Sequence, residues 1–137
     1  MNEVLATLLG ACVGAVAAIA GAYITTGRQH KIEAGYRLRL AFHEELAVLR
    51  DASDNSDPCD ILKSSLKKHL IAVEEFKFAI CKRKIPSFEK AWEEYYKVDG
   101  FPFPEQYFKH LGGIELANKN RELAIQRIEH ILSFTRA

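Results

Sequence analysis

Residues 4–26 read VLATLLGACVGAVAAIAGAYITT, a run of 23 residues without a charged side chain. As a helix that rises about 1.5 Å per residue, the run would be roughly 34 Å long, which is enough to cross a hydrocarbon core of about 30 Å. The run therefore predicts a transmembrane helix. Residues 1–27 would form this helix with a short external N-terminus, and residues 28–137 would form a separate domain.

A cleaved secretory signal peptide is the main alternative for this segment. Ala18-Ile19-Ala20 resembles the small-x-small pattern of a cleavage site. However, the residues that precede the run, Met1-Asn2-Glu3, are acidic where a signal peptide carries Lys or Arg. The sequence therefore favours a retained membrane helix.

The charges indicate how such a helix would be oriented. All 19 Lys and Arg residues lie at or after Arg28, and the net charge of the chain is only +1. The positive-inside rule then predicts a single-pass protein with a cytoplasmic C-terminal domain. Three cysteines at unrelated spacings form no disulfide framework, as expected in a reducing compartment. The basic residues expected to contact lipid headgroups are Arg28, Lys31, Arg37 and Arg39.

Small residues recur at helical spacing within the apolar run, with Gly10 and Gly14 as a GxxxG pair. A smooth stripe of this kind lets two helix backbones approach closely, so that packing contacts can drive association in lipid. A merely alanine-rich anchor is the alternative. We predict a homo-oligomer with membrane lipid around it. The predicted helix–helix interface consists of Ala6, Gly10, Gly14, Ala17, Ala18 and Gly21.

The remainder of the chain repeats apolar residues with the helical period, and no stretch alternates with period two for long enough to form a strand. Helices are predicted over about 27–50, 59–82, 87–98 and 114–134, with a chain break at Pro86. The membrane helix is expected to continue into the first of these, broken or bent near residues 25–27, which are poor helix formers. Pro58 and Asp60 mark the start of the second of these helices. The predicted fold is all-α, with a single N-terminal transmembrane helix followed by a small cytoplasmic bundle of three to four helices.

Aromatic residues form the densest apolar cluster of the sequence, between positions 92 and 108. Core packing is one interpretation. If part of the cluster is exposed, it becomes a groove for a protein partner of unknown identity, because Trp and Tyr dominate binding hot spots. The candidate partner surface consists of Trp92, Tyr95, Tyr96, Phe101, Phe103 and Tyr107.

No catalytic, cofactor or metal motif is present in the sequence. The five histidines are scattered one per segment, and we expect them on surfaces or at helix ends. Neighbouring glutamates such as Glu44-Glu45 point about 100° apart on a helix, so they are expected on solvated faces. A nucleic-acid role would need a basic face, yet acidic residues are nearly as numerous, and neither nucleic acid nor nucleotide is an expected partner. The best candidates for such a face are Lys63, Lys67, Lys68, His69 and the cluster Lys82-Arg83-Lys84, to which Lys109, Lys119 and Arg121 could add.

Four segments carry a resemblance to known proteins: FHEEL at 42–46 with Leu49, AVEEF at 72–76, FEKAWEEYY at 88–96 and AIQRIEHIL at 124–132. In this order they resemble a widespread, functionally uncharacterised group of short bacterial proteins with an apolar N-terminal helix and a helical cytoplasmic domain. The likeness spans roughly residues 32–135. It implies a bacterial inner-membrane location, with some members on mobile or phage-associated elements, and it supplies no catalytic residue.

The leading hypothesis is a membrane-anchored, non-catalytic interaction module that assembles through the small-residue face. The alternative is a membrane-perturbing effector of antiphage or toxin type, which the cytoplasmic domain would trigger. An enzyme is not expected.

Overall fold

The computed structural model consists of four α-helices: α1 (Asn2–Arg50), α2 (Pro58–Ala79), α3 (Ile85–Tyr96) and α4 (Gly113–Ser133). Two 3₁₀ turns, Lys82–Lys84 and Phe134–Arg136, precede α3 and follow α4. The structure describes residues 2–51, 58–97, 103, 107 and 113–136, with backbone alone for 2–16 and 113–117. Within these residues there is no strand, and the predicted all-α fold is confirmed.

Helix α1 is one uninterrupted helix of 49 residues, about 73 Å long at the standard rise. The membrane helix was predicted to continue into the next helix, broken or bent near residues 25–27; a break there is wrong, because the helix runs through these residues. The Thr26 hydroxyl donates to the carbonyl oxygen of Ala22 at 2.7 Å, and the Thr25 hydroxyl donates in the same way to Gly21. Both threonines thus direct their hydroxyls onto the helix itself, and the helical backbone continues through a segment of low intrinsic propensity.

The two ends of α1 have different surroundings. Every residue from 17 to 30 is exposed, whereas the buried stripe begins at Ala34 and continues through Leu38, Phe42 and Leu49. The C-terminal part of α1 therefore belongs to the bundle, and the part before it extends away from the bundle.

Within the described part of the chain, we find no helix that is long and apolar enough to span a membrane. The predicted span of residues 4–26 falls largely on side chains outside the described residues, and so do Ala6, Gly10 and Gly14 of the predicted interface.

The bundle core forms where α1, α2, α3 and α4 bring their apolar stripes together. Phe88 of α3 packs edge-on against Phe76 of α2, with ring centroids 5.2 Å apart, and against Phe134, with centroids 5.4 Å apart. Such contacts between phenylalanine rings add to the free energy gained by burial. The fully buried apolar side chains that share this core are Leu38, Phe42, Leu62, Val73, Phe76, Phe88, Tyr95, Tyr107, Ala124, Ile128 and Ile131.

The helix starts match the prediction in one case and differ in another. Helix α2 begins at Pro58 with Asp60 in its first turn, as predicted. Helix α3 begins at Ile85, so Pro86 lies inside its first turn and does not break the chain before Ser87. Proline is tolerated at that position because the first-turn N–H groups have no partner within the helix.

Gly35 marks the closest approach of α1 to its neighbours. A Cβ atom at this position would lie 3.4 Å from Thr135 Cβ and 3.6 Å from Phe76 Cε2. A methyl group would just fit, and a longer side chain would have to displace one of these neighbours. Glycine at position 35 therefore lets three elements meet at one end of the bundle.

We predict that Gly35→Leu lowers the free energy of unfolding by about 1–3 kcal/mol, because the added side chain overpacks this contact. Chemical denaturation of the detergent-solubilised full chain, followed by circular dichroism, measures the change. Gly27→Leu is the matched control, since nothing lies within 4 Å of a Cβ atom at Gly27. Equal stability of the two variants would contradict the close packing at Gly35.

Candidate functional site

The aromatic cluster lies mainly in the core. Tyr95 and Tyr107 have no exposed surface, and the Tyr107 hydroxyl donates to the backbone carbonyl of Tyr95 at 2.9 Å. Arg127 of α4 in turn donates to the Tyr107 hydroxyl oxygen at 3.1 Å. The prediction of a partner surface is therefore wrong for Tyr95 and Tyr107, because the contacts of α3 with the other elements enclose both rings completely.

The other described members of the cluster are half-buried. Trp92 and Tyr96 stand four residues apart on α3, and their rings stack with centroids 5.6 Å apart. Phe103 packs against Tyr95, with ring centroids 5.3 Å apart. Phe101 lies outside the described residues. A partner could contact only the outer edges of Trp92, Tyr96 and Phe103.

A buried polar cluster joins α1, α2 and α3 next to these rings. Glu45 of α1 is 3 % exposed and His69 of α2 is fully buried. His69 Nε2 faces Glu45 Oε2 at 3.4 Å without forming a hydrogen bond, and neither atom has a hydrogen-bond partner among the described residues. On its other side, His69 Nδ1 lies 3.1 Å from the Tyr95 hydroxyl oxygen. The imidazole also stacks on Phe42, with ring centroids 3.9 Å apart.

The second oxygen of Glu45 is held by α2. Lys68 Nζ lies 2.8 Å from Glu45 Oε1, and the Ser65 hydroxyl donates to the same oxygen. Burial by itself would raise the pKa of Glu45, but the polar neighbours His69, Lys68 and Ser65 outweigh it and lower the pKa from 4.5 to about 2. Glu45 is therefore an ionised carboxylate at neutral pH.

The hydroxyl of Tyr95 closes the other side of the cluster. Burial raises the pKa of Tyr95 well above its ordinary value, so this hydroxyl keeps its proton. It shares a hydrogen bond with His69 Nδ1, whose direction depends on which ring nitrogen carries hydrogen. The ionised Glu45 can only accept, so a hydrogen on Nε2 would face it.

The cluster contains the residue types of an acid–base relay, but its place in the core argues for a structural role. A substrate would have to reach His69, whose side chain has no exposed surface. In the described part of the chain, no three His, Cys, Asp or Glu side chains are arranged to hold a metal ion. The cluster instead links three helices through one set of polar contacts.

Two predictions about single residues are corrected by this cluster. His69 and Glu45 were expected on solvated surfaces, and both are in the core. The spacing of residues in the sequence indicates that position 45 is buried. It follows Phe42 by three residues and precedes Leu49 by four, so it lies within the predicted apolar stripe. In the same way, position 69 follows Leu66 by three residues and precedes Val73 by four. Three other histidines, His30, His43 and His130, are exposed as expected.

The basic residues that follow the apolar run divide into two pairs. Arg28 is exposed and Lys31 is half-buried. Arg37 forms ion pairs with Glu33 at 2.8 Å and Glu75 at 3.7 Å.

Arg39 donates to the Thr135 hydroxyl oxygen at 2.7 Å. Because α1 is already packed into the bundle at this level, Arg37 and Arg39 are engaged within the protein. Both side chains are nevertheless exposed, and headgroup contact by Arg28, Lys31, Arg37 and Arg39 stays a prediction.

Comparison of the chain with models of protein families, with curated proteins and with solved structures finds no match. The resemblance to short bacterial membrane proteins stays a prediction.

We predict that Glu45→Gln weakens the pH dependence of stability in acid. The folded-state pKa of Glu45 is lower than its unfolded value, so its stabilisation is complete above pH 4.5 and is lost as the pH falls toward about 2. At neutral pH the variant is expected to be less stable by about 3 kcal/mol, since Lys68 and His69 lose a buried charged partner.

Denaturant titrations of the full chain at several pH values measure both effects. Glu44→Gln is the matched control, because the adjacent Glu44 side chain is 81 % exposed although it also contacts Lys68 at 3.1 Å. If the two variants showed the same free energy of unfolding at every pH, the buried contacts would not be what sets the pKa of Glu45.

Proposed function

We propose that the chain is a single-pass protein of the bacterial inner membrane that acts by binding and assembly, with its helical bundle in the cytoplasm. The observation that carries this proposal is the exposed segment 17–30 of α1. Its large apolar side chains Ile19, Tyr23 and Ile24 are 68 %, 83 % and 73 % exposed. Burial of one such side chain is worth about 1.5–3 kcal/mol, so this segment requires an apolar environment outside the bundle.

Lipid fits this requirement. The exposed segment continues the uncharged run of residues 4–26, and the helical backbone of α1 extends through the whole run. Arg28 and Lys31 follow directly after the run, where a cytoplasmic headgroup layer would lie. One continuous helix would thus form both the membrane anchor and the first helix of the bundle.

Self-association through α1 is the second part of the proposal. Ala17, Ala18 and Gly21 are exposed on the described part of the helix, and nothing lies within 4 Å of a Cβ atom at Gly21. The same spacing continues through Ala6, Gly10 and Gly14 in the sequence. Close packing of such small residues is what drives helix association in lipid.

A membrane-perturbing effector is a second candidate. The continuity of α1 through residues 25–27 favours it, because a rotation or tilt of the bundle would be transmitted to the membrane segment without a hinge. An effector of this kind depolarises the membrane when it is triggered. A normal membrane potential in cells that overexpress the protein, both before and during phage infection, would contradict this candidate.

We predict that the full chain carrying Gly10→Leu and Gly14→Leu loses self-association, because the larger side chains separate the two helix backbones. In-membrane crosslinking measures the change, with an expected loss of most of the crosslinked dimer or oligomer.

Cys12→Leu with Val16→Leu is the matched control, since these two residues have the same spacing and lie about 160° around the helix from Gly10 and Gly14. The proposed interface would be wrong if both double variants crosslinked equally. Two other results would contradict the proposal that residues 4–26 anchor the protein in the membrane. One is release of the protein from membranes by alkaline carbonate, and the other is loss of its first two dozen residues on maturation.

A further inference from the structure

The bundle has a distinct end face where segment 17–30 emerges. Gly35 of α1 approaches Phe76 in the last turns of α2 and Thr135 in the turn after α4. Because Phe76 precedes the Lys82–Lys84 turn by two helical turns, and Phe88 after it packs on both Phe76 and Phe134, this basic turn lies at the same end of the bundle. Three separate stretches of sequence therefore meet around the point where α1 leaves the bundle.

Basic side chains dominate this end face. Lys82, Arg83 and Arg136 are exposed and Lys84 is half-buried. Within the described residues, no carboxylate forms an ion pair with any of these four side chains.

The carboxylates on the neighbouring faces are already engaged. Glu33 and Glu75 both contact Arg37, and Glu74 and Glu89 both contact Lys77. Four basic side chains that form no ion pair with a described carboxylate thus lie at the end from which α1 emerges.

An exposed aromatic side chain lies near this end of α2. Phe78, in the last turn of α2, is 87 % exposed, the highest exposure among the large apolar residues of the described chain. It borders a shallow groove whose other lining residues are His30, Glu33, Ala34, Arg37 and Glu75. An exposed phenylalanine at an end face that carries lysine and arginine favours the boundary between headgroups and acyl chains.

The distance along α1 places this face close to the bilayer. Eight residues separate Thr26, the last residue of the uncharged run, from Ala34, the first buried residue of the bundle. At the helical rise, they span about 12 Å. The headgroup layer on one side of a bilayer is about 5–7 Å thick, and the potential of anionic lipid extends for roughly a further 8–10 Å at physiological salt.

We propose that this end face binds anionic phospholipid headgroups. The face, which we call the basic collar, consists of Phe78, Lys82, Arg83, Lys84 and Arg136. The inference rests on the membrane location proposed above and extends it, because the bound lipid is now contacted by α2, by the turn before α3 and by the turn after α4. In this arrangement the collar holds the bundle against the membrane surface, with the Phe78 ring between the headgroups.

Charge and geometry together favour lipid over nucleic acid as the partner. A nucleic acid would have to enter the narrow space between the bundle end and a negatively charged membrane, where the headgroups already supply phosphate. The attraction of polybasic segments to anionic lipid falls off within a Debye length of the membrane surface. The distance estimated along α1 places the collar within this range of the headgroups.

The test uses Cys81, which is exposed and adjacent to Lys82. The full chain with Cys12→Ala is labelled at Cys81 with an environment-sensitive fluorophore, while Cys59 is buried. The protein is reconstituted into vesicles of phosphatidylcholine, or of phosphatidylcholine with about one third phosphatidylglycerol, both with a nitroxide-headgroup lipid as quencher. We expect at least about twofold stronger quenching in the anionic vesicles, and its reversal by salt of about 1 M, where the Debye length is about 3 Å.

Variants separate the collar from general charge effects. Lys82→Gln, Arg83→Gln and Lys84→Gln together are expected to reduce quenching in anionic vesicles to the level in neutral vesicles. The matched control removes three exposed lysines from other positions, namely Lys63→Gln, Lys67→Gln and Lys119→Gln, and should keep the full effect. Phe78→Ser is expected to reduce quenching while leaving its salt dependence in place.

Three results would overturn the proposal. Equal quenching in neutral and anionic vesicles would show that the collar does not recognise charge. An equal loss of quenching in the control triple variant would mean that net charge alone matters. Relief of quenching by an added RNA duplex, with tighter duplex binding by the wild-type chain than by the collar variant, would assign the face to nucleic acid. A chain that fails to float with vesicles of either composition would contradict the membrane location instead.

Discussion

The unbroken backbone of α1 is the constraint on which the other features depend. The helix continues through residues 25–27, and its side chains are exposed from 17 to 30 and enter the packed core from Ala34 onward. The part within the bundle has a narrow apolar stripe from Ala34 to Leu49. Because one helix carries both parts, the helical rise sets the distance along the axis between the bundle and the apolar segment.

The polar cluster around His69 gives the bundle a defined register. An ionised Glu45 in the core is costly to desolvate, and the contacts with His69, Lys68 and Ser65 offset this cost only in the observed alignment of α1 with α2. A shift by one helical turn would leave the carboxylate buried without donors. The apolar stripes alone would tolerate such a shift better, because neighbouring turns offer similar side chains.

The sequence predicted the helices well, because their buried stripes follow the 3.6-residue period and depend on local spacing. The predictions from sequence were wrong or incomplete for side chains whose burial or bonding depends on residues far away in the chain. The burial of His69 requires Glu45 and Tyr95 from two other helices, and the engagement of Arg39 requires Thr135, 96 residues away. Pro86 was misassigned for a different reason, since the same residue can end one helix or open the next.

The packing of Thr135 against Gly35 and Arg39 has a consequence for biosynthesis. A ribosome adds about 5–20 residues per second, so the partner of α1 at this contact is made roughly 5–20 s after α1 itself. During that interval the apolar stripe of α1 has no α4 to cover it. Translation pauses, or a chaperone near the ribosome exit, would then control how much nascent protein reaches the native bundle before it aggregates.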